Sequence, residues 1–446
     1  MTTADEAAAA RDVAAPLSAR LPRPLRQFLA TETAGAVVLF AAAVVALVWA
    51  NSPWHASYES LWHLRTKASI GSWSLDMNLR HLVNDGFMAL FFFVVGLEIK
   101  RELVEGELRN PRTAALPAFA AAGGMIVPAV LFVVINAGPG DVGGWGIPMA
   151  TDIAFALGVI ALFGSRLPDG LRLFLLTLAI VDDIGAIIVI ALVYSGTIDA
   201  GPLAGAFALL AVMTFVRWRG VTQVPVYVLL GVGVWVCTYA SGVHATIAGV
   251  ALGLLTPAVS FTPGRIAREW ASDLDDEPTA TDIAAMTALA RSSVSVAERL
   301  QHQLHPVTSF VIIPLFALAN AGVRIDIGSL GDPGPRSVAA GVVVGLVAGK
   351  ALGISVATWI AVRLRLGQLP EDVTWAHVIG VSVVAGIGFT VSLFISDLAF
   401  TSSPGLESAA KTGVLSASLL AALFGSVLLF RASRSPGRTA SGCALS

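Results

Sequence analysis

Charge and cysteine are what this 446-residue chain has least of. Only 13% of it is Asp, Glu, Lys or Arg, about half the roughly 25% of an ordinary globular chain. So few charges cannot keep a folded surface of this size in water. The two cysteines, Cys237 in an apolar run and Cys443 near the C-terminus, allow neither a disulfide framework nor a cysteine metal cluster. Net charge is −2 and no basic block stands out, which excludes nucleic acid as a partner. No HExxH, P-loop or nucleophile elbow occurs. The marks of an aspartyl intramembrane protease are missing as well. There is no Tyr-Asp pair, and the one Gly-x-Gly-Asp, Gly138 to Asp141, falls in a Gly/Pro loop. The sequence therefore predicts no enzyme and no cofactor.

What the chain has is apolar length. Hydrophobic residues make up 56% of it and mean hydropathy is +0.78. A hydrocarbon core of about 30 Å takes roughly 20 apolar residues per helix. Twelve such segments lie near 28–50, 81–102, 114–137, 146–164, 171–195, 201–217, 223–240, 243–257, 305–323, 338–362, 375–398 and 408–432. The expectation is an all-α integral membrane protein with about 12 transmembrane helices and membrane lipid as its solvent. Residues 28–432 form the transmembrane domain, between a cytoplasmic tail at 1–27 and a flexible tail at 433–446. With the N-terminus inside, 21 of the 28 Lys and Arg fall on the cytoplasmic side and 6 outside, while Lys350 lies within a span. That bias predicts both termini in the cytoplasm. Residues 51–80 read as an external loop in which Ile70, a Gly-Ser turn, Trp73, Leu75 and Met77 alternate like a small hairpin. Residues 258–304 read as the long cytoplasmic loop, with an acidic stretch from Asp273 to Glu277 that a solvated face explains.

Ionisable groups inside spans are expensive and mark function. Asp182 and Asp183 are the twelfth and thirteenth residues of the fifth span, at the bilayer midplane, and Lys350 is the thirteenth of the tenth, at the same depth. Two adjacent acids in lipid cannot both stay charged alone, so they exchange a proton for a hard cation, which prefers oxygen ligands. Lys350 is either the ion partner of one acid or a direct proton carrier, and the two roles are compatible. Asp85 lies early in the second span. In the fourth, Pro148 to Asp152 interrupts the apolar run, with Thr151 as a candidate N-cap and Asp152 in the first turn. Gly386 to Thr390 interrupts the eleventh. Unwound backbone at membrane depth must line a cavity or be buried in protein. Spans 3–5 and spans 10–12 each break in the middle member and start from opposite sides. That is an inverted-topology repeat with two broken, crossing helices, the architecture of an alternating-access secondary transporter.

The runs FFFVVGLEIKREL, PMATDIAFALGV, LTLAIVDDIGAIIVIALVY, SGVHATIAGV, IIPLFALANAGV, AGKALGIS and GIGFTVSLFISDLAF resemble those of the NhaA family of sodium/proton antiporters, in that family's order. The resemblance implies exchange of intracellular sodium or lithium for external protons across a bacterial inner membrane, electrogenic and regulated by pH. It implies that Asp182 and Asp183 bind cation and protons alternately, with Thr151 beside them at the sodium site. It further implies that Lys350 pairs with Asp182, that Asp152 offsets facing half-helix ends, and that Asp85 supports the site from the second span. Glu98, Arg101 and Glu102 match the cytoplasmic end where pH sensing is placed, and residues 51–80 match the contact of a homodimer. His244 fits a family histidine, although a lone histidine near a span end is more often structural. His302 and His305 are further sensor candidates of the same ambiguity. An acid often precedes the first of that pair in the family; here it is Gln301, which bears on the pH midpoint. The rival reading is a sodium-coupled symporter of an organic solute with a related fold.

Overall fold

The computed structural model describes residues 23–70, 73–138, 140–219, 224–259, 293–324, 331–370 and 372–434, with isolated positions at 279, 285–287 and 289. The acidic stretch 273–277, most of both tails and Cys443 lie outside the described residues. Fourteen helices are labelled here in chain order. They are α1 (Arg23–Ala50), α2 (His55–Trp62), α3 (Leu79–Val104), α4 (Pro111–Asn136), α5 (Ile153–Ala161), α6 (Asp169–Val193), α7 (Ala200–Trp218), α8 (Val224–Ala240) and α9 (Thr246–Leu255). After the long loop come α10 (Val296–Asn320), α11 (Pro333–Arg363), α12 (Trp375–Val384), α13 (Phe389–Ala399) and α14 (Pro404–Arg434). Among the described residues nine segments are long and apolar enough to cross a membrane. The bent pair α12 and α13 makes a tenth, and α8 and α9 are shorter apolar helices at the remaining two expected places. Large apolar side chains such as Phe40, Val48, Phe207, Leu229 and Leu423 stand exposed around the bundle. On a protein in water such a belt would drive aggregation; in a bilayer it is the lipid contact.

Two boundaries differ from the sequence reading. The ninth span was expected from 305, yet α10 starts at Val296, where the Ser295 hydroxyl accepts the Glu298 N–H at 3.2 Å. The Ser-x-x-Glu signature of a helix start is present there, but hydropathy alone does not register it. In the fourth span the half before the break, Val142–Met149, is a 3₁₀ helix, its glycines and Pro148 being poor α formers. The expected hairpin forms: β1 (Arg65–Ile70) pairs antiparallel with β2 (Trp73–Asn78), Arg65 opposite Asn78 and Ile70 opposite Trp73. Beside it α2 packs across the end of α10, where the buried Tyr58 hydroxyl lies 2.9 Å from the Leu318 carbonyl and 3.0 Å from that of Ala319.

Small residues set how closely the site-bearing helices approach. Gly123 of α4 and Gly353 of α11 lie backbone against backbone, and a Cβ on either would run into the other's carbonyl. Lipid offers no hydrophobic drive between helices, so association rests on such close packing. The contact seats Lys350, one turn before Gly353, deep in the protein with no exposed surface. Lys350 follows directly on a π turn at Gly345–Gly349, and further π turns occupy Leu82–Phe87 and Thr308–Ile312. Each displaces the helix around a residue at or near the polar interior, as π turns often do at functional sites.

Candidate functional site

The two broken spans cross at their breaks, and each break satisfies the other's backbone. The Asp152 N–H donates to the Ile387 carbonyl at 2.6 Å. One Asp152 carboxylate oxygen accepts from the Thr390 N–H at 3.0 Å and the Thr390 hydroxyl at 2.7 Å; the other accepts the Phe155 N–H at 3.0 Å. A single carboxylate thus faces the N-terminal ends of α5 and α13, where two helix dipoles place partial positive charge. The Ser392 hydroxyl donates to the Ile147 carbonyl at 2.7 Å, closing the other half of the crossing. The α12–α13 pair bends by 45° across its gap.

Thr151 departs from its expected role. Asp152, not Thr151, is the N-cap of α5. Cap identity depends on backbone dihedrals that a polar run leaves open by one residue, and Asp caps as well as Thr. The Thr151 hydroxyl is instead 2.7 Å from Asp182 Oδ2 and 2.9 Å from the Ala385 carbonyl. With one proton it can donate to only one of them at a time.

Consecutive residues on an α-helix point about 100° apart, so the aspartate pair on α6 divides its surroundings. Asp182 faces α11, where Lys350 Nζ forms an ion pair with Oδ2, and both side chains are fully buried. Asp183 faces a cavity lined on one side by Thr151, Asp152, Asp183 and Thr390 and on the other by Phe91, Val95, Glu98, His305, Ser309 and Ile313. Asp182 Oδ1 and Asp183 Oδ1 are buried and accept no hydrogen bond from the described residues. Unmatched carboxylate oxygens cost free energy in a buried place and are the donor set a hard monovalent cation or a proton would use.

A family model described as Na+/H+ antiporter 1 matches residues 26–429. The chain belongs to that family. It is 49% identical over 418 residues to Na(+)/H(+) antiporter NhaA 3 of Frankia alni, covering 93% of this chain and 90% of that one. It is 46% identical over 420 residues to Na(+)/H(+) antiporter NhaA of Rhodopirellula baltica, covering 91% and 93%. Among solved structures, that of the sodium proton antiporter MjNhaP1 from Methanocaldococcus jannaschii at pH 8 is similar with TM-score 0.52 at 9% identity, over 92% of this chain and 98% of that one. At that identity the likeness is one of fold.

The remaining candidates of this NhaA-family chain divide by place. Glu98 lines the cavity mouth and accepts from Gln301 Nε2 at 3.1 Å, so the residue standing where an acid is common serves as a neutral donor. His305 lines the cavity, whereas His302, one turn nearer the helix start, is exposed. Glu102 accepts the Glu107 N–H at 2.7 Å and so ties the turn after α3, with Arg101 half-buried beside it. His244 is remote from the cavity and holds the Tyr194 carbonyl at 2.6 Å through Nε2, a structural tie at the opposite end of the bundle. Asp85 does not reach the site either; it sits in the π turn of α3, its carbonyl accepting from Trp235 Nε1 at 2.9 Å. Thr390 is the site residue that sequence reasoning passed over, although it closes the Gly386 to Thr390 break.

Proposed function

We propose that this chain exports sodium or lithium ions and imports protons by alternating access, the two substrates competing for Asp182 and Asp183. The observation that carries the reading is the division of labour in the aspartate pair: one acid is locked to a buried lysine, the other faces a cavity. A cation reaching Asp183 would add the unmatched oxygen of Asp182 and the Thr151 hydroxyl, and its positive charge would displace Lys350 from Asp182. Lys350 would then release a proton or find Asp182 again once the cation has left. More protons than sodium ions per turnover would make exchange electrogenic, at about 2.3 kcal/mol per charge per 100 mV.

The cavity is lined along α3 as far as Glu98, close to the end that carries Lys100 and Arg101. By the Lys/Arg bias that end faces the cytoplasm of a bacterial inner-membrane protein with both termini inside, and the conformation is inward-facing. Glu98 and His305 at the mouth are then the groups placed to tune the response to internal pH. Among the described residues the hairpin β1–β2 is a sheet of two strands, and a strand edge open to pairing supports residues 51–80 as the contact between two copies.

The test is sodium-driven proton movement in proteoliposomes. Competition for shared oxygens predicts that the apparent sodium constant rises about tenfold per competing proton for each pH unit of acidification, about 1.4 kcal/mol of binding, at unchanged maximal rate. A constant that stays flat while the maximal rate falls would overturn competition at the site. Exchange that needs an added organic solute would instead favour a symporter.

A further inference from the structure

Away from the site, a charge cluster joins four helices by side chains, its lysine buried and its two carboxylates partly so. Lys411 of α14 forms ion pairs with Asp397 of α13 and, at 2.7 Å, with Glu407 one turn earlier on its own helix. The second oxygen of Asp397 accepts Asn84 Nδ2 of α3 at 3.0 Å. Asn84 in turn accepts Asn320 Nδ2 of α10 at 2.8 Å, and that amide is also 3.0 Å from the Phe316 carbonyl. Buried ion clusters are poor sources of stability, so their place in the fold asks for another explanation.

That place follows from what lies beneath the cluster on the same helices. Phe316 is four residues before Asn320, Phe394 three before Asp397, and Phe92 eight after Asn84. Phe394 lies 5.7 Å from Phe92 and 6.2 Å from Phe316 between ring centroids, and all three rings are buried. One turn further in, Ile313, Val391 and Val95 line the cavity that Asp183 faces. From Asp183 outward the order is therefore cavity, aromatic layer, polar cluster.

The cluster also straddles a mechanical boundary. Helices α13 and α14 belong to the second inverted repeat, while α3 and α10 belong to neither. The cavity lies on the same boundary, with the repeats' Asp183, Thr151 and Thr390 on one wall and residues of α3 and α10 on the other. Rocking of repeats against the remaining helices must shear this boundary. At one end it is open as the cavity; at the other the link from Asn84 to Asp397 bridges it.

We infer that Asn84, Asn320, Asp397 and Lys411 form a polar lock that holds the passage shut on the face opposite the cavity and releases once in each transport cycle. The inference rests on the alternating-access reading above. Only the Asn84–Asp397 bond crosses from the static helices to the second repeat within this chain of contacts, so it is the link that must break. Asp397 and Glu407 keep some solvent exposure, with side chains 13% and 26% exposed, and water can therefore replace the partner that leaves.

The test is thiol accessibility in sealed vesicles of both orientations, using Val391→Cys in a Cys237→Ser, Cys443→Ser background and a membrane-impermeant maleimide. Asn84→Asp sets a carboxylate against Asp397 with almost no change of shape. Losing a hydrogen bond to a charged group and adding repulsion should raise labelling from the face opposite the cavity about tenfold or more. The exchanged pair, Asn84→Asp with Asp397→Asn, restores one amide against one acid and should return labelling toward the parent rate. Unchanged opposite-face labelling in Asn84→Asp protein that still labels normally from the cavity face would overturn the lock. If that variant does not accumulate, Asn84→Cys with Asp397→Cys bridged by a short bifunctional methanethiosulfonate decides the matter. Sodium-driven proton movement should stop on bridging and return with reductant; movement that continues in fully bridged protein overturns the lock. Labelling reads opening alone, so a parent protein that exchanges nothing would count against antiport and leave the lock standing.

Discussion

Removing the charge of Lys350 isolates Asp182 in a place it cannot leave. Both side chains have no exposed surface, and among the described residues Asp182 would keep the contact with Thr151, while its Oδ1 accepts no hydrogen bond. Breaking one side of a buried ion pair costs about 3–5 kcal/mol. Unfolding entropy near 2.1 cal/mol/K per residue over 446 residues comes to about 0.9 kcal/mol/K, so Lys350→Met should lower Tm in detergent by about 3–5 °C. The sign of the pH dependence is fixed by what can replace the lysine. A proton taken up by the stranded carboxylate removes the unpaired charge, so the gap to the parent should be wider at about pH 8.5 than at about pH 5.5. Asp182→Asn together with Lys350→Met removes both charges and should recover most of the loss, because charge without a partner, not lost volume, is the cause. Thermal unfolding at the two pH values in a Cys443→Ser background, followed by a thiol-reactive dye at Cys237, measures all of this. A single variant as stable as the parent at high pH, or a double variant no better than the single, would refute the argument.

Thr390→Val keeps the N–H but removes the hydroxyl on Asp152, a bond to a charged group worth about 1.5–3 kcal/mol; the expected result is a lower Tm and slower sodium-driven proton movement, read in the same preparations. Gly353→Leu forces α11 away from Gly123 of α4 and carries Lys350 with it, so exchange should be lost even where monodisperse protein is recovered by size exclusion. Tyr58, on a helix outside the spans, is held by burial at a pKa of about 12, because the phenolate is the form that burial disfavours. Ultraviolet titration should therefore show Tyr58→Phe losing one of the late-ionising tyrosines and none of the early ones, with about 1 kcal/mol less stability from the missing hydroxyl bond.

The site was legible to the extent that it breaks the rules of an apolar span. Asp182, Asp183 and Lys350 stand out because nothing near them in sequence is charged, and the two interruptions stand out because Pro, Gly and Thr gather inside apolar runs. Partner choice followed for Lys350 from the family resemblance, since a span reveals depth but not the direction a side chain faces. What stayed hidden depends on geometry across helices. Thr151 and Asp152 differ by one residue as caps, and only the backbone of the break decides between them. His302 and His305 are a turn apart, yet one reaches the cavity and the other solvent. Asp397 lies near a span end, where an acid is unremarkable, and its partners Asn84 and Lys411 come from two other helices, with Asn320 behind Asn84 on a third. Asp85 stands out as an acid within an apolar span but has a location fixed by how α3 and α8 meet, which hydropathy does not encode.

Distance along the chain between partners at the crossing has a consequence for how the protein is made. Asp182 precedes its lysine by 168 residues, and Asp152 precedes Thr390 by 238. At about 5–20 residues per second of synthesis, the first repeat waits on the order of ten to thirty seconds in the bilayer before Lys350 emerges. Throughout that interval two carboxyl groups sit in a half-built protein without their eventual partners. A ribosome stalled after residue 330 should leave this half exposed to membrane quality control, and delivery of the second repeat, even as a separate polypeptide, is what would rescue it.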